Sequence, residues 1–305
     1  MSVLEGIGNT PLVELRRVVP NGAARVFVKL EWANPTGSMK DRMAVAAIEA
    51  AEATGRLQRG GTVVEYTAGT TGISLAFVCA AKGYAIEIVF SDAFSDEKRR
   101  TMQAFGARIT DVKSDGGRIN EALIREMIRT ADEISARPGH WYCNQLRNHD
   151  AIAGYLPMGE EIWTQTEGRV DAFVHSVSTA HSIHGVTRSL WAHDKNVRIV
   201  AVEPAESAVL SGGPSGSHKI EGIGIGFIPP LWQPEMVNEI ERVSTDDAKA
   251  MARLLAREEG IFAGISSGAN VVAALRVAER LGAGATVVTL AVDSGLRYLS
   301  TDVFR

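Results

Sequence analysis

Short apolar runs rich in β-branched residues alternate with longer amphipathic segments along nearly the whole chain of 305 residues. The apolar runs predict strands and lie at residues 24–30, 62–66, 86–90, 107–112, 171–177, 197–203 and 285–292. The amphipathic segments predict helices and lie at residues 41–54, 71–82, 95–105, 118–136, 182–193, 245–259 and 267–281. This alternation predicts an α/β protein in which helices flank mainly parallel sheets, arranged as two lobes or as one large domain.

Ligands of such sheets bind outside the carboxyl ends of the strands, where loops lead into helices. A functional site is therefore expected in the loops that follow the predicted strands. The longest stretch predicted to be irregular, residues 204–244, contains the glycine-rich segment KIEGIGIGF at 219–227. A loop of that length is usually functional.

Composition narrows the class of ligand. Hydrophobic residues make up 45% of the chain and charged residues 22%, and the net charge of -4 comes from acidic and basic residues mixed along the sequence. Neither nucleic acid nor a membrane is therefore expected as a partner, and a small molecule is. The N-terminus has no basic region and no uninterrupted apolar core, which predicts a cytoplasmic protein. Cys79 and Cys143 match no disulfide or metal-binding spacing and are interpreted as packing residues.

Lys40 is the unusual residue of the first loop, NPTGSMKDR at 34–42. A turn of Asn, Pro and Gly leads into a helix whose first turn contains Lys40, where the positive end of the helix dipole disfavours an ammonium. The pKa of Lys40 is therefore predicted to be lowered, which suits a lysine that forms a Schiff base with a carbonyl cofactor. Taken alone, the lysine also fits a solvated surface position beside Asp41 and Arg42.

The second loop, EYTAGTTGISLA at 65–76, joins a strand to a helix through glycines and threonines. Backbone N–H groups at the helix start and the hydroxyls of Thr67, Thr70 and Thr71 predict a site for a carboxylate or a phosphate. An ordinary helix N-cap rich in threonine is the alternative.

The third loop, HSVSTAHSIHGV at 175–186, follows a predicted strand with small hydroxylated residues. Ser178, Thr179 and Ser182 are predicted to hydrogen-bond a phosphate. His181 and His184 have no carboxylate or cysteine at ligand spacing, so no metal site is predicted.

The fourth loop, GISSGANVVAAL at 264–275, places Ser266 and Ser267 at the start of a helix. Taken alone, both serines are interpreted as helix caps.

Taken together and in this order, the loops resemble those of the cysteine synthase and cystathionine β-synthase family of fold-type II pyridoxal-phosphate (PLP) enzymes. The resemblance runs from GNTPLVEL at 8–15 to RYLST at 297–301 and includes KIEGIGIGFIP at 219–229. It implies two lobes, each a mainly parallel twisted sheet flanked by helices, as in the tryptophan synthase β-like fold. It further implies the following division: a large PLP-binding domain of residues 1–39 plus 146–305, and a smaller domain of residues 40–145 with a mobile subdomain near 84–130.

The same resemblance implies a role for each matching residue. Lys40 is expected to form the internal aldimine with PLP, and Ser266 to hydrogen-bond the pyridine nitrogen. The other expected cofactor contacts are Thr70, Ser178, Thr179, Ala180, His181 and Ser182. The expected substrate contacts, most of them to the carboxylate, are Thr67, Ala68, Gly69, Thr71, Gln145 and Gly222.

A neutral hydroxyl at a helix start does not favour a protonated pyridine ring, so the cofactor is expected to be a weaker electron sink that favours loss of a β-substituent. The implied reaction is β-replacement on an O-activated serine such as O-acetylserine, through an aminoacrylate, with sulfide as the nucleophile. Two alternatives stay open: another nucleophile or substrate, and a catalytically weakened relative that acts as a binding or regulatory protein. The resemblance also implies a homodimer and allows an acyltransferase partner.

The chain departs from the family pattern in two of these loops. Family members usually carry asparagine at the position of Thr70 and serine at that of Ala68. Their phosphate cup usually reads Gly-Thr-Gly-Gly-Thr, and here residues 178–182 read Ser-Thr-Ala-His-Ser. Because glycines permit positive φ and a close approach of backbone amides to a phosphate, the exchange is predicted to alter or weaken the cup. His181 either donates to the phosphate or fills part of the cup.

Overall fold

The apolar runs of the sequence form parallel strands, and the amphipathic segments form helices between them. The computed structural model describes residues 2–117 and 121–305. The strands are β1 (Leu12–Glu14), β2 (Arg25–Leu30), β3 (Thr62–Tyr66), β4 (Ala85–Ser91), β5 (Arg108–Val112), β6 (His140–Tyr142), β7 (Ala172–Ser176), β8 (Arg198–Pro204), β9 (Glu239–Val243) and β10 (Thr286–Ala291). The helices are α1 (Lys40–Ala53), α2 (Thr70–Lys82), α3 (Asp96–Ala104), α4 (Glu121–Ser135), α5 (Leu156–Gln165), α6 (His181–His193), α7 (Thr245–Leu254) and α8 (Ile265–Leu281).

The chain divides into two units, each with its own sheet. The first, here called the Lys40 unit, comprises Met1–Ile7 and Lys40–Gly154. The second, here called the Ser266 unit, comprises Gly8–Met39 and Tyr155–Arg305. The Ser266 unit is thus assembled from two separate stretches of the sequence.

The Lys40 unit contains a four-stranded parallel sheet in the order β5-β4-β3-β6. Tyr66 at the end of β3 pairs with Val89 of β4, while Val64 pairs with Tyr142 at the end of β6. Because these strands are parallel, the loops that follow β3 and β6 leave the sheet at the same edge. Helices α2 and α4 both pack against β3 and β4.

The Ser266 unit contains a six-stranded sheet in the order β1-β2-β10-β7-β8-β9, in which only β1 runs antiparallel to its neighbour. Strand β10 is central, and its Val287 pairs with Val26 of β2 and with Ala172 of β7. All six residues of β10 are buried, as expected of a strand covered on both faces. Helix α8 packs against β10 and β7. The third loop follows the carboxyl end of β7, and residues 292–294 follow that of β10.

The predicted α/β class with mainly parallel sheets is confirmed, and several element predictions were wrong. Residues 204–244 were predicted to be irregular, but 239–243 form β9, an edge strand whose charged residues give it no apolar run. The helix predicted over 245–259 changes at residue 255, because Leu255–Glu259 form a π-helical turn. Strands β1 and β6 and helix α5 were not predicted, and residues 118–120 of the helix predicted over 118–136 lie outside the described residues.

Both cysteines, Cys79 and Cys143, are buried and free, as predicted for packing residues. Within residues 2–117 and 121–305, no helix has the length and apolarity needed to cross a membrane.

Candidate active site

Lys40 is the first residue of α1, and its side chain is half-buried. The neighbouring Asp41 and Arg42 are buried, so a solvated position beside exposed charges does not describe this segment. The residue before it, Met39, belongs to the Ser266 unit, where it donates its N–H to Val292 O at 3.0 Å. The position of Lys40 at a helix start is confirmed, and its lowered pKa stays a prediction.

The loop after β3 turns sharply at Gly69, which has φ +129 and is the N-cap of α2. A Cβ at this position would lie 2.4 Å from Lys98 Cδ, so both the backbone conformation and the space require glycine. Thr67 Oγ1 accepts a hydrogen bond from the Gly69 N–H at 2.9 Å. The alternative of a threonine N-cap is wrong, because the N-cap is Gly69 and no side chain caps the helix.

Gln145 lies in the loop after β6, where hydrogen bonds fix the orientation of its side-chain amide. Its Oε1 accepts a hydrogen bond from Thr71 Oγ1 at 2.7 Å, and its Nε2 donates to Tyr66 O at 3.1 Å. Thr67, Thr71 and Gln145 are all buried at this edge of the sheet. The structure therefore brings three of the predicted substrate-binding residues together, while the adjoining Ala68 is exposed.

Glu65 supports this loop from within the core and has no exposed surface. Its Oε2 accepts the N–H of Gln145 and its Oε1 accepts the N–H of Tyr66, both at 3.0 Å. Burial raises the pKa of Glu65 from 4.5 to about 8, although these two backbone donors act in the opposite direction. The carboxyl group is therefore protonated at neutral pH, and it places no negative charge under the loop.

Lys98 of α3 is buried, and its aliphatic stem lies across Gly69. The segment around it, DEKRR at 96–100, is strongly charged, a pattern that is typical of a solvated helix face.

In the Ser266 unit, the loop after β7 leads into α6 through Ala180, which adopts the left-handed conformation with φ 71 and ψ -5. Thr179 Oγ1 and His181 Nδ1 lie 2.9 Å apart, and both residues are buried. The loop thus keeps a positive φ at a position where the family usually has glycine. The imidazole of His181 is turned to the Thr179 hydroxyl.

Ser182, in the first turn of α6, hydrogen-bonds a histidine of β7: its Oγ lies 2.8 Å from His175 Nε2. Behind His175 lies Asn270 of α8, whose Oδ1 accepts the Ser176 N–H at 2.8 Å. Both His175 and Asn270 have no exposed surface. A buried polar chain therefore connects the helix that carries Ser266 to the loop after β7.

Helix α8 begins at Ile265 with Gly264 as its N-cap, so the interpretation of Ser266 and Ser267 as caps is wrong. Ser267 Oγ instead accepts the N–H of Val292, just beyond the end of β10, at 2.9 Å. Ser266 is buried at the same helix start, where a hydroxyl can donate to a neutral ring nitrogen.

Gly222 lies in the Ser266 unit, exposed and with φ 90. Two residues on, Gly224 donates its N–H to Val177 O at 3.2 Å. The glycine-rich segment therefore borders the loop after β7.

A family model described as pyridoxal-phosphate dependent enzyme matches residues 3–293. The chain belongs to this family, and PLP is its cofactor. It is 44% identical over 305 residues to the cysteine synthase of Staphylococcus aureus, an alignment that covers 99% of this chain and 96% of that protein.

Two solved structures are similar to the chain over nearly its full length. One is the cysteine synthase of Entamoeba histolytica, with a TM-score of 0.91 and 39% identity, covering 99% of this chain and 90% of that one. The other is the O-acetylserine dependent cystathionine β-synthase of Helicobacter pylori, with a TM-score of 0.92 and 32% identity, covering 100% and 98%. The predicted family, fold class and cofactor are confirmed.

The donors present in the Ser266 unit fit this cofactor. The first turn of α6 carries no acidic side chain, and a helix start rich in hydroxyls attracts a phosphate. Ala180 has a positive φ at a position where the family cup usually has glycine. The first turn of α8 also lacks an acidic side chain, so a pyridine nitrogen bound there would meet the neutral hydroxyl of Ser266.

Four residues that lie beside these loops were not predicted from the sequence: Glu65, Lys98, His175 and Asn270. Glu65 and His175 carry a weak signal, since each is a polar residue inside a strand that is otherwise apolar. Asn270 is a single polar residue in an otherwise mostly apolar helix, and Lys98 lies among other charged residues in α3, so neither stands out until the packing is known.

Proposed function

We propose that the chain catalyses a PLP-dependent β-replacement on an O-activated L-serine such as O-acetylserine, and that sulfide is the nucleophile, so that cysteine and acetate form. The observation that carries the proposal is the buried hydrogen bond between Thr71 and Gln145 at the edge of the four-stranded sheet in the Lys40 unit. The pair is suited to the carboxylate of an amino acid, and Lys40 belongs to the same unit. The relationship to cysteine synthases supports the choice of reaction.

The residues proposed to hold PLP are Lys40, Thr70, Ser178, Thr179, Ala180, His181, Ser182 and Ser266. When bound, PLP supplies an electron sink for the Cα of the amino acid. The start of α6 is proposed to bind its phosphate and Ser266 its pyridine nitrogen. Because Ser266 is neutral, it leaves the ring unprotonated, and this favours departure of a β-substituent over reactions that need a long-lived carbanion.

The loop after β3 is proposed to bind the substrate carboxylate. The amide of Gln145 is fixed by Thr71 and by Tyr66 O, so one Nε2 hydrogen remains to donate to a ligand. The Gly69 N–H is held by Thr67 Oγ1, which shapes the turn. A protonated Glu65 avoids repulsion between two carboxylates. Ala68 and Gly69 are proposed to contribute backbone contacts, and Gly222 to border the substrate.

Lys40 is proposed to be the group that removes and holds the Cα proton at Nζ. An amine can do this only in its neutral form. Its place in the first turn of α1 favours that form, because the helix start disfavours a positive charge.

The proposal is tested with purified protein reconstituted with PLP. The wild type should show a visible absorption band, and with O-acetylserine and sulfide it should release acetate and cysteine in equal amounts. Lys40→Ala should lose the band and both products, and Lys40→Arg should also be inactive, because a guanidinium stays protonated and cannot act as the base. Acetate release without cysteine would point to another nucleophile. A PLP-loaded wild type that neither consumes O-acetylserine nor forms cysteine would contradict the proposal.

We also propose that the chain forms a homodimer that works in the cytoplasm. Leu296 and Leu299 are 68% and 56% exposed, and apolar side chains of this kind support a subunit interface. Light scattering at several concentrations measures the assembly, and a monomer at all of them would contradict it. Docking of an acyltransferase stays a prediction of the family resemblance.

A further inference from the structure

The hydroxyl of Ser182 belongs to a chain of three polar side chains in the Ser266 unit. Ser182 Oγ lies 2.8 Å from His175 Nε2, and His175 Nδ1 lies 3.4 Å from Asn270 Nδ2. Asn270 also donates from Nδ2 to Leu290 O at 3.0 Å and accepts the Ser176 N–H at Oδ1 at 2.8 Å. His175 and Asn270 are fully buried, and Ser182 is 7% exposed.

Hydrogen bonding fixes the direction of this chain. The Ser176 N–H can only donate, so the Asn270 atom that receives it is the oxygen, and the amide nitrogen faces His175 and Leu290 O. One amide hydrogen goes to Leu290 O and the other to His175 Nδ1, which is therefore an acceptor. A neutral imidazole that accepts at Nδ1 carries its proton on Nε2. His175 thus donates to Ser182 Oγ.

A serine hydroxyl that accepts such a bond keeps its own proton to donate elsewhere. We infer that Asn270 and His175 are positioning residues that hold the Ser182 hydroxyl as a hydrogen-bond donor to the phosphate of PLP. The inference rests on the proposed function, because it takes the start of α6 as the phosphate site. In the opposite arrangement the serine would donate to His175 and present only lone pairs to the phosphate, which an anion repels.

The usual family cup has glycine at three of its five positions and threonine at the position of Ser182. The family cup relies on glycine, whereas residues 178–182 here have side chains at every position. A hydroxyl of fixed polarity offers a charge-assisted hydrogen bond in place of closer amide contacts.

The experiment compares the affinity of apoprotein for PLP and for pyridoxal, which lacks the phosphate. Ser182→Ala should raise the dissociation constant for PLP about 10- to 100-fold, the range for a hydrogen bond to a charged group, with little change for pyridoxal. His175→Phe should weaken PLP binding by a smaller factor. In the Ser182→Ala background, His175→Phe should have no further effect, because His175 acts through the hydroxyl.

Two further variants separate this role from a loss of packing. His175→Gln keeps an acceptor towards Asn270 and a donor towards Ser182, so it should restore most of the PLP affinity and serves if His175→Phe does not fold. Ser189→Ala is the matched control, since Ser189 lies on the same helix and donates to Glu160 Oε1. It should leave PLP affinity unchanged.

The outcomes distinguish a failure of this inference from a failure of the proposed function on which it rests. Wild-type apoprotein that does not bind PLP overturns both. If the wild type binds PLP, the inference is overturned in either of two cases: His175→Phe weakens PLP equally with and without the Ser182 hydroxyl, or it weakens pyridoxal as much as PLP.

Discussion

Thr71 Oγ1 donates a hydrogen bond to Gln145 Oε1 at 2.7 Å, and thereby joins residues 74 positions apart in the sequence. The bond sets the amide of Gln145 with its oxygen towards α2, and the bond from Nε2 to Tyr66 O confirms that orientation. The two loops that meet here follow neighbouring parallel strands. A substrate carboxylate bound at this edge would therefore meet a donor whose direction is fixed before binding.

Gln145→Glu is expected to raise the KM for O-acetylserine about 10- to 100-fold, since it replaces a donor by a like charge facing the substrate carboxylate. Thr71→Val should raise KM by a smaller factor, because Gln145 remains but is no longer held. Thr71→Ser retains the hydroxyl and is the control. Steady-state kinetics at saturating sulfide measures all three, and an unchanged KM in Gln145→Glu would show that the carboxylate binds elsewhere.

Glu65 should make the folded protein less stable as the pH rises. Its pKa is about 8 in the folded chain, against 4.5 as the ordinary value, so the folded state binds a proton that the unfolded state releases. The contribution is fully present below pH 4.5 and is lost as the pH rises through about 8. Glu65→Gln is expected to flatten the dependence of the unfolding free energy on pH between 5 and 8, measured by urea titration.

The Glu65→Gln substitution also removes one of two acceptors for backbone N–H groups, so it should cost about 1–3 kcal/mol at pH 5. Glu97→Gln, at an exposed position of α3, is the control and should leave the slope unchanged. A Glu65→Gln variant with the wild-type slope would mean that Glu65 is ionised in the folded state.

His184 should act in the opposite pH range. Burial lowers its pKa from 6.5 to about 4, and its Nε2 accepts the Gln233 N–H at 3.1 Å. The stability that it contributes is fully present above pH 6.5 and is lost as the pH falls through about 4. His184→Gln is therefore expected to lose less stability than the wild type between pH 6.5 and 4. The exposed His149→Gln serves as control, and equal acid sensitivity in all three proteins would refute the assignment.

Ala180→Gly is expected to stabilise the apoprotein by about 0.5–1 kcal/mol. A left-handed conformation costs a residue with a Cβ about 1–2 kcal/mol, and the greater freedom of glycine in the unfolded chain offsets part of that gain. Ala250→Gly, at an exposed helical position in α7, should instead destabilise by about 1 kcal/mol. Urea unfolding without PLP measures both. A loss of stability in Ala180→Gly would contradict the presence of strain at φ 71.

Much of the fold could be predicted because the buried strands lack polar alternation. The run TVVEY forms β3 with the predicted bounds, and ATVVTLAV contains all of β10. Edge elements were less predictable. EIERV forms β9, a partly exposed edge strand with charged residues at three of its five positions. Strand β6 has only three residues. Short strands of this kind are determined by their neighbours more than by their own sequence.

The site was predictable where motifs are contiguous, and less so where contacts are distant in the sequence. Lys40 and Ser266 each stand at a helix start, as expected from their loops. The hydrogen bonds from the Val292 N–H to Ser267 Oγ and from the Ser176 N–H to Asn270 Oδ1 could not be predicted from the local sequence. The donors lie at the carboxyl ends of β7 and β10, which meet α8 only after the sheet has formed.

The pairing of β2 with β10 sets the order in which the two sheets can form during synthesis and folding. Val26 pairs with Val287, so β2 must wait for nearly all of the chain before its parallel neighbour exists. The segment Lys40–Gly154 holds the complete four-stranded sheet, so we expect it to fold while the remainder is still being synthesised on the ribosome. Strands β2 and β10 are far apart in the sequence, so their pairing, which closes the six-stranded sheet, is expected to be the slow step of folding. The end of β7, with the loop proposed to bind phosphate, and the start of α8, with Ser266, are held against β10 only after that step, so the apoprotein should gain affinity for PLP last.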